Sequence, residues 1–282
     1  MPVPGVFTRM PPSFTNLWTS WRSCLDPPTG PAGGVITQSR RIYVGIAGWS
    51  NPPAIRPDRP PMMTHLGYYA EQFSCVEINS SFHRPHRATT YTRWRNETPK
   101  GFRFAVKMPR RITHESHLKR CAAEVSRFCE EVAHLQPKLG AILVQLPPDL
   151  EFSATAVRSF FRAVPRSPGV AIACEPRHSS WFTVRAEQTL QRLEVSRVAA
   201  DPARCRGADS PGGSPCVVYF RWHGSPRMYY SQYSDAQLAT FAMKVKTSAA
   251  QHAWCIFDNT AHYAAWYDAL RFIALIRARE RT

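Results

Sequence analysis

Eight times along this chain a short apolar run stops abruptly in polar and aromatic residues, and a stretch with helical spacing nearly always follows. The sharpest instance is Gly169 to Phe182. Val170 to Cys174 reads as a strand buried on both faces, Pro176 cannot donate to a ladder and ends it, and Glu175, Arg177, His178, Ser179, Ser180 and Trp181 crowd the exit. The other runs are 41–47, 75–79, 102–107, 140–146, 195–200, 217–222 and 254–257. Helical spacing or a capping residue marks 63–73, 88–96, a long helix opened by Thr113 and running to Leu135, a Ser153-capped helix to Phe161, a Thr183-capped helix to Leu193, a Ser234-capped helix to Lys246, and a last helix over 262–279. The segment 202–213, rich in Gly and Ser, offers at most a short helix.

Strands alternating with helices imply a parallel sheet, and eight such units in roughly 240 residues is the size of an α/β fold of the (β/α)8 kind, a TIM-type barrel. An open doubly wound sheet ranks below it, because Gly45-Ile46-Ala47-Gly48 after the first strand lacks the Gly-rich phosphate loop such a sheet needs. The barrel is expected over 40–282. Residues 1–39 hold seven of the 25 prolines and no periodicity, and are expected to be a flexible, disordered N-terminal extension.

Charge narrows the partners. The net charge is +16, and Lys occurs only at 100, 107, 119, 138, 244 and 246, the remaining basic residues being Arg. Such a surface favours an anionic small molecule or nucleic acid, although an Arg-rich, Lys-poor composition also follows from a GC-rich genome. Eight Cys with no C-x-x-C, several inside apolar runs, behave as buried thiols of a reduced compartment. No run is long enough to span a membrane and no secretory signal opens the chain, so the expected location is the cytoplasm, with no membrane partner.

In a parallel barrel all strands point their C-terminal ends at one mouth. That places Trp49, Glu77, Asn79, Phe82, Lys107, His114, Gln145, Glu175, Arg177, His178, Trp181, Arg221, His223 and Asn259 around a common rim, with His83, Asp201 and Asp258 nearby. Burying so much charge for packing alone is unfavourable. The paired carboxylates Glu77 and Glu175 could act as general acid and base in hydrolysis, or each could simply pair with Lys107, Arg177 or Arg221. A divalent metal is a second chemistry, since His83, His114, His178, His223 and the carboxylates are competent ligands. No H-x-H or H-E-x-x-H spacing supports it, and the count of bases against acids requires no cofactor. A Schiff-base role for Lys107 ranks last, because nearby carboxylates would hold its charge on.

Gly48-Trp49, Val76 to Phe82, Lys107 with Ile112-Thr113-His114, Lys138-Leu139-Gly140, Gln145 to Pro148, Glu175 to Trp181 and Arg221 to Gly224 occur in an order that resembles the signature segments of the YecE-like family, a domain of unknown function. The resemblance covers roughly residues 41–270 and implies a TIM-type barrel. It implies no established activity; the family's shape has been likened to metal-dependent endonucleases acting at abasic DNA sites. Three places depart from the pattern: His83 stands for Tyr, Asp258-Asn259-Thr260 for Asn-Asn-Asp with His262-Tyr263 behind it, and the five-proline loop 52–61 for an aromatic segment.

The function expected from the residues is hydrolysis of a phosphate- or sugar-containing substrate, nucleic acid included. Glu77, Glu175 and Lys107 would be catalytic, and the other rim residues would bind substrate. The alternative is a non-catalytic nucleic-acid binder that uses its basic surface.

Overall fold

The computed structural model describes residues 40–278. The expectations for residues 1–39 and for the end of the last helix at Arg279 lie outside them. In chain order the elements are β1 (Arg41–Ala47), α1 (His65–Gln72), β2 (Cys75–Ile78), α2 (Ser80–His83), α3 (Ala88–Asn96), β3 (Arg103–Lys107), α4 (Ala122–Val132), β4 (Leu139–Gln145), α5 (Ala154–Ala163), β5 (Ala171–Glu175), α6 (Val184–Arg192), β6 (Val195–Arg197), β7 (Ala199–Asp201), β8 (Gly212–Gly213), β9 (Val217–Trp222), α7 (Asp235–Thr247), β10 (His252–Phe257) and α8 (Ala264–Arg277).

The sheet runs β7-β9-β10-β1-β2-β3-β4-β5-β6-β8, parallel throughout except for the antiparallel β6–β8 pair. The expected single sixth strand is two short pieces. β6 pairs with β5, the chain turns at Val198, and β7 pairs with β9. One continuous stretch thus changes partners midway and nearly closes the cylinder, helped by the Ser196 hydroxyl donating to the Val217 carbonyl at 2.7 Å. This is a barrel of parallel strands alternating with helices, as the periodicity predicts.

Strand period two divides the core into two shells. Outward side chains, among them Val44, Val76, Phe104, Val144, Phe220, Trp222 and Phe257, pack against the helices. Inward ones, Cys75, Ala105, Leu143, Ala173, Tyr219, Trp254 and Ile256, fill the cylinder. Trp254 stacks on Tyr219 with ring centres 5.9 Å apart. The bulge at Gly140 admits the Trp254 ring, since a Cβ there would lie 2.6 Å from its edge. The same parity continued to the strand ends turns Glu77, Lys107, Gln145, Glu175, Arg221 and Asp258 inward.

Three expected caps are formed, the hydroxyls of Ser153, Thr183 and Ser234 accepting backbone N–H groups of α5, α6 and α7, and Thr64 caps α1 in the same way. Thr113 does not open a long helix. A π-turn at Arg111–Glu115 is followed by positive φ at His117, Leu118 and Arg120, and α4 begins only at Ala122. Burial of Leu118 over Ile112 wins there over helical periodicity. The segment 202–213 contributes β8 rather than a helix. Gly213, at φ +71°, approaches the Val195 carbonyl too closely for any Cβ.

Candidate functional site: the barrel mouth

Arg221 is the hub. It is fully buried, and its guanidinium reaches three carboxylates. Nε and Nη2 donate to Glu77 at 3.0 and 2.7 Å, Nη1 to Glu175 at 2.6 Å, and Nη2 also to Asp258 at 2.7 Å. The remaining Glu77 capacity goes to the Tyr219 hydroxyl at 2.8 Å. Glu175 accepts from Gln145 at 3.1 Å and from Arg177 at 3.2 and 3.1 Å. His223 Nδ1 lies 2.9 Å from Asp258 Oδ2, and its Nε2 lies 3.5 Å from Glu175 Oε1, too long for a hydrogen bond.

These contacts set the protonation states. Burial alone would raise the Glu175 carboxyl, but Arg221, His223 and Arg177 together hold it well below the usual carboxylate range. Asp258 is lowered in the same way by Arg221 and His223 against burial. The His223 imidazole is raised, its two carboxylate neighbours overcoming burial and the repulsion of Arg221. Both oxygens of Glu77 are occupied and no part of it reaches solvent. Both acids are paired with bases, the alternative the sequence left open: Glu77 holds Arg221, and Glu175 is kept as a carboxylate by Arg221, Arg177 and His223. Asp258 Oδ1 is the one oxygen of the three carboxylates without a hydrogen bond among the described residues.

Lys107 presents the opposite case. It is 8% exposed, yet its ammonium makes no hydrogen bond and no ion pair with the described residues. It lies 4.2 Å over the centre of the Phe82 ring. Burial first, then Arg221, push its pKa down to about 8 against the pull of Glu175, Glu77 and Asp258. The neighbouring acids do pull the charge on, as expected, but burial and then Arg221 outweigh them, so the ammonium is held less tightly than usual while still the main form at pH 7.

Beside Lys107, His114 stands edge-on to Phe82 at 5.0 Å and shares a 2.8 Å hydrogen bond with the Thr113 hydroxyl. Burial, with Lys107 and Arg110 next in effect, pushes its pKa down to about 4, so its imidazole is neutral at pH 7. Asn79 Oδ1 is buried without a partner. Trp49 is half-buried, edge-on to Trp94 at 5.0 Å. A cavity of about 140 Å³ lies between Gly48, Ser50, Thr260 and Tyr263, at the ends of β1 and β10.

Three rim residues are diverted to scaffolding. Trp181 is buried and donates its indole N–H to the Leu150 carbonyl at 2.8 Å. His178 caps the turn after β5 through Ser180. Asn259 donates to Asp268 at 2.7 Å and to the Ser231 carbonyl at 2.9 Å. Tyr219 is the partner that the selection of rim residues passed over, and Asp258, expected only nearby, is drawn into the centre of the cluster. Strand parity with Arg221 and Ile256 was the signal that could have found both. Among the described residues no group of His, Cys, Asp and Glu side chains is arranged to hold a metal ion.

Residues 43–282 match the model of a family described as a protein of unknown function, DUF72. The chain belongs to this family. Curated DUF72-like relatives include the UPF0759 protein YecE of Escherichia coli K12, 32% identical over 57% of this chain and 59% of that protein. The UPF0759 protein YunF of Bacillus subtilis is 30% identical over 55% and 57%. The chain thus aligns with less than two thirds of each curated relative's length. Solved structures of DUF72 family proteins superpose over most of the barrel. The Thermotoga maritima protein gives a TM-score of 0.70 at 22% identity, covering 84% of this chain and 99% of that one. The Enterococcus faecalis protein gives 0.69 at 21%, covering 85% and 99%. No described helix is long and apolar enough to cross a membrane.

Proposed function

We propose that this chain is an enzyme, a hydrolase acting on a phosphate- or sugar-containing substrate bound at the C-terminal mouth of the barrel. The observation that carries the reading is the contrast between Arg221, saturated by three acids, and Lys107, buried with none. Three carboxylates face Arg221, Arg177, Lys107 and His223. The cluster is neutral with one proton shared between Lys107 and His223, and positive by one with both protonated. It therefore gains a proton more readily when an anion enters. Arg177, whose Nη1 is uncommitted, grips the anionic group. The neutral amine of Lys107 takes the proton of the attacking water, Asp258 Oδ1 orients it, and Phe82 and Trp49 offer ring faces to a sugar or base.

The test is a panel of nitrophenyl phosphates, phosphodiesters and glycosides, with single-stranded DNA, set against the wild type, Lys107→Met and Asp258→Asn. Turnover is expected to fall by about 10² or more in both variants. Folded variants that turn over at the wild-type rate would remove the mouth from the chemistry.

A second reading, nucleic-acid binding without catalysis, draws on the outer wall. A groove of about 490 Å³ between α5 and α6 is lined by Arg158, Arg162, Arg166 and Arg192. None of the four is ion-paired to an acid among the described residues. DNA binding that weakens with salt and survives both Lys107→Ala and Glu175→Gln, without turnover, would favour it.

A further inference from the structure

Lys138, partly buried, and Lys107, buried, are treated very differently. Lys138 Nζ donates to the carbonyls of Arg95 and Thr98 and to the Thr98 hydroxyl, and so ties α3 to the start of β4. Lys107 is the more enclosed of the two, 8% exposed, and makes no hydrogen bond or ion pair with the described residues, while its Nζ keeps some contact with solvent. A buried polar group without a partner calls for an explanation in what it binds. Asn79 Oδ1, also buried and unpartnered, lies at the end of the neighbouring strand. Ser81 ties that strand end to the Lys107 carbonyl at 2.7 Å.

We propose that Lys107 is a nucleophile toward carbonyl compounds, and that the mouth takes a phosphorylated aldehyde or ketone, such as an open-chain sugar phosphate, as a Schiff base on this side chain. The proposal rests on the mouth being the active site and gives it a substrate class. The unprotonated amine attacks the carbonyl carbon, a C–N bond forms, and the carbonyl oxygen takes up a proton. The carbinolamine then expels water and, with loss of the N–H proton, leaves a C=N bond; in sum, amine and carbonyl become imine and water. A protonated imine carries the charge that an ammonium would, so Glu175, Glu77 and Asp258 stabilise it electrostatically just as they favour charged Lys107. Phe82 covers one side of the nitrogen, and Arg177 is placed for the phosphate. With a pKa near 8, roughly half of the Lys107 side chains are unprotonated at pH 8, against well under a hundredth for an ordinary lysine.

The small lysine count makes the test readable. The full chain is incubated at pH 8 with pyridoxal 5′-phosphate, a phosphorylated aldehyde, and sodium borohydride reduces any C=N to a stable secondary amine. Peptide mapping then compares Lys107 with Lys100, Lys119, Lys138, Lys244 and Lys246. Lys107 is expected to label about tenfold faster than the exposed lysines. Unphosphorylated pyridoxal should label it several-fold more slowly, and that preference should vanish in Arg177→Ala. Labelling spread evenly over the exposed lysines overturns the proposal, as does equal labelling by the two aldehydes. In folded Lys107→Arg the fast adduct must disappear while labelling elsewhere stays the same; a fast adduct that persists also overturns it. Hydrolysis without Lys107 labelling sinks this proposal and leaves the hydrolase reading standing, and labelling without hydrolysis does the reverse.

Discussion

Two sides of the same mouth are built on opposite principles. Around Arg221, each nitrogen of a buried guanidinium donates to a carboxylate, and the carboxylates are closed off in turn by Tyr219, Gln145, Arg177 and His223. A few ångströms further round the rim, Lys107, His114 and Asn79 keep polar atoms that nothing in the described protein satisfies. The first arrangement is what a buried charge needs in order to be tolerated. The second is left incomplete, and it gives the amine a lowered proton affinity. Burial is the main cause of the lysine's lowered proton affinity, and the positive charge of Arg221 adds to it against the pull of the acids.

Removing Arg221 should break the comparison most severely. Arg221→Met leaves Glu77 with only the Tyr219 hydroxyl and takes the central cation from Glu175 and Asp258, which keep Arg177, Gln145 and His223, and is expected to destabilise the fold by about 3–5 kcal/mol in urea unfolding at pH 7. Glu175 and Asp258 have folded pKa values below their unfolded ones, so they stabilise above the unfolded values near pH 4 and lose that contribution as pH falls through the folded ones. The acid limb of the wild-type stability profile should therefore flatten in this variant. Glu77→Gln, which keeps shape but removes the charge, should lose about 1–3 kcal/mol; an unchanged midpoint would deny Glu77 its role in holding Arg221.

At Lys107 the sign reverses. Its folded pKa of about 8 lies below its unfolded value of 10.5, so charging it opposes folding at pH 7, and this penalty disappears between pH 8 and pH 10.5. Lys107→Met should raise stability by about 1–3 kcal/mol at pH 7, and the gain should fade as pH approaches 10.5. A loss of stability at pH 7 would mean that the ammonium has a stabilising partner after all. The smallest effect is at His114. Its NMR titration should centre near pH 4 and move upward, by less than about one unit, in Lys107→Met, because burial is the main cause of the shift and Lys107 the next.

Much of the mouth was readable in the sequence because alternation is strict along a strand. Glu77, Lys107, Gln145, Glu175 and Arg221 are each the last or next-to-last residue of their strand, at the parity of small or apolar interior residues. The positions whose side chains parity could not place are those beyond the strands. Trp181, His178 and Asn259 lie in loops, and their side chains were claimed by the Leu150 carbonyl, by Ser180 and by Asp268. The Lys138-Leu139-Gly140 segment looks no different in sequence from a site motif, yet it anchors the opposite end of the barrel.

What the sequence by itself determined is the barrel and the set of charges delivered to its rim, because both follow from local periodicity and from where apolar runs stop. Which acid pairs with which base was decided only by the tertiary structure. Arg221 could have shared its partners with Lys107 in any linear reading; only the curved, nearly closed sheet brings β2, β5, β9 and β10 near enough for one guanidinium to take all three carboxylates, with β3 carrying its lysine past them unpaired.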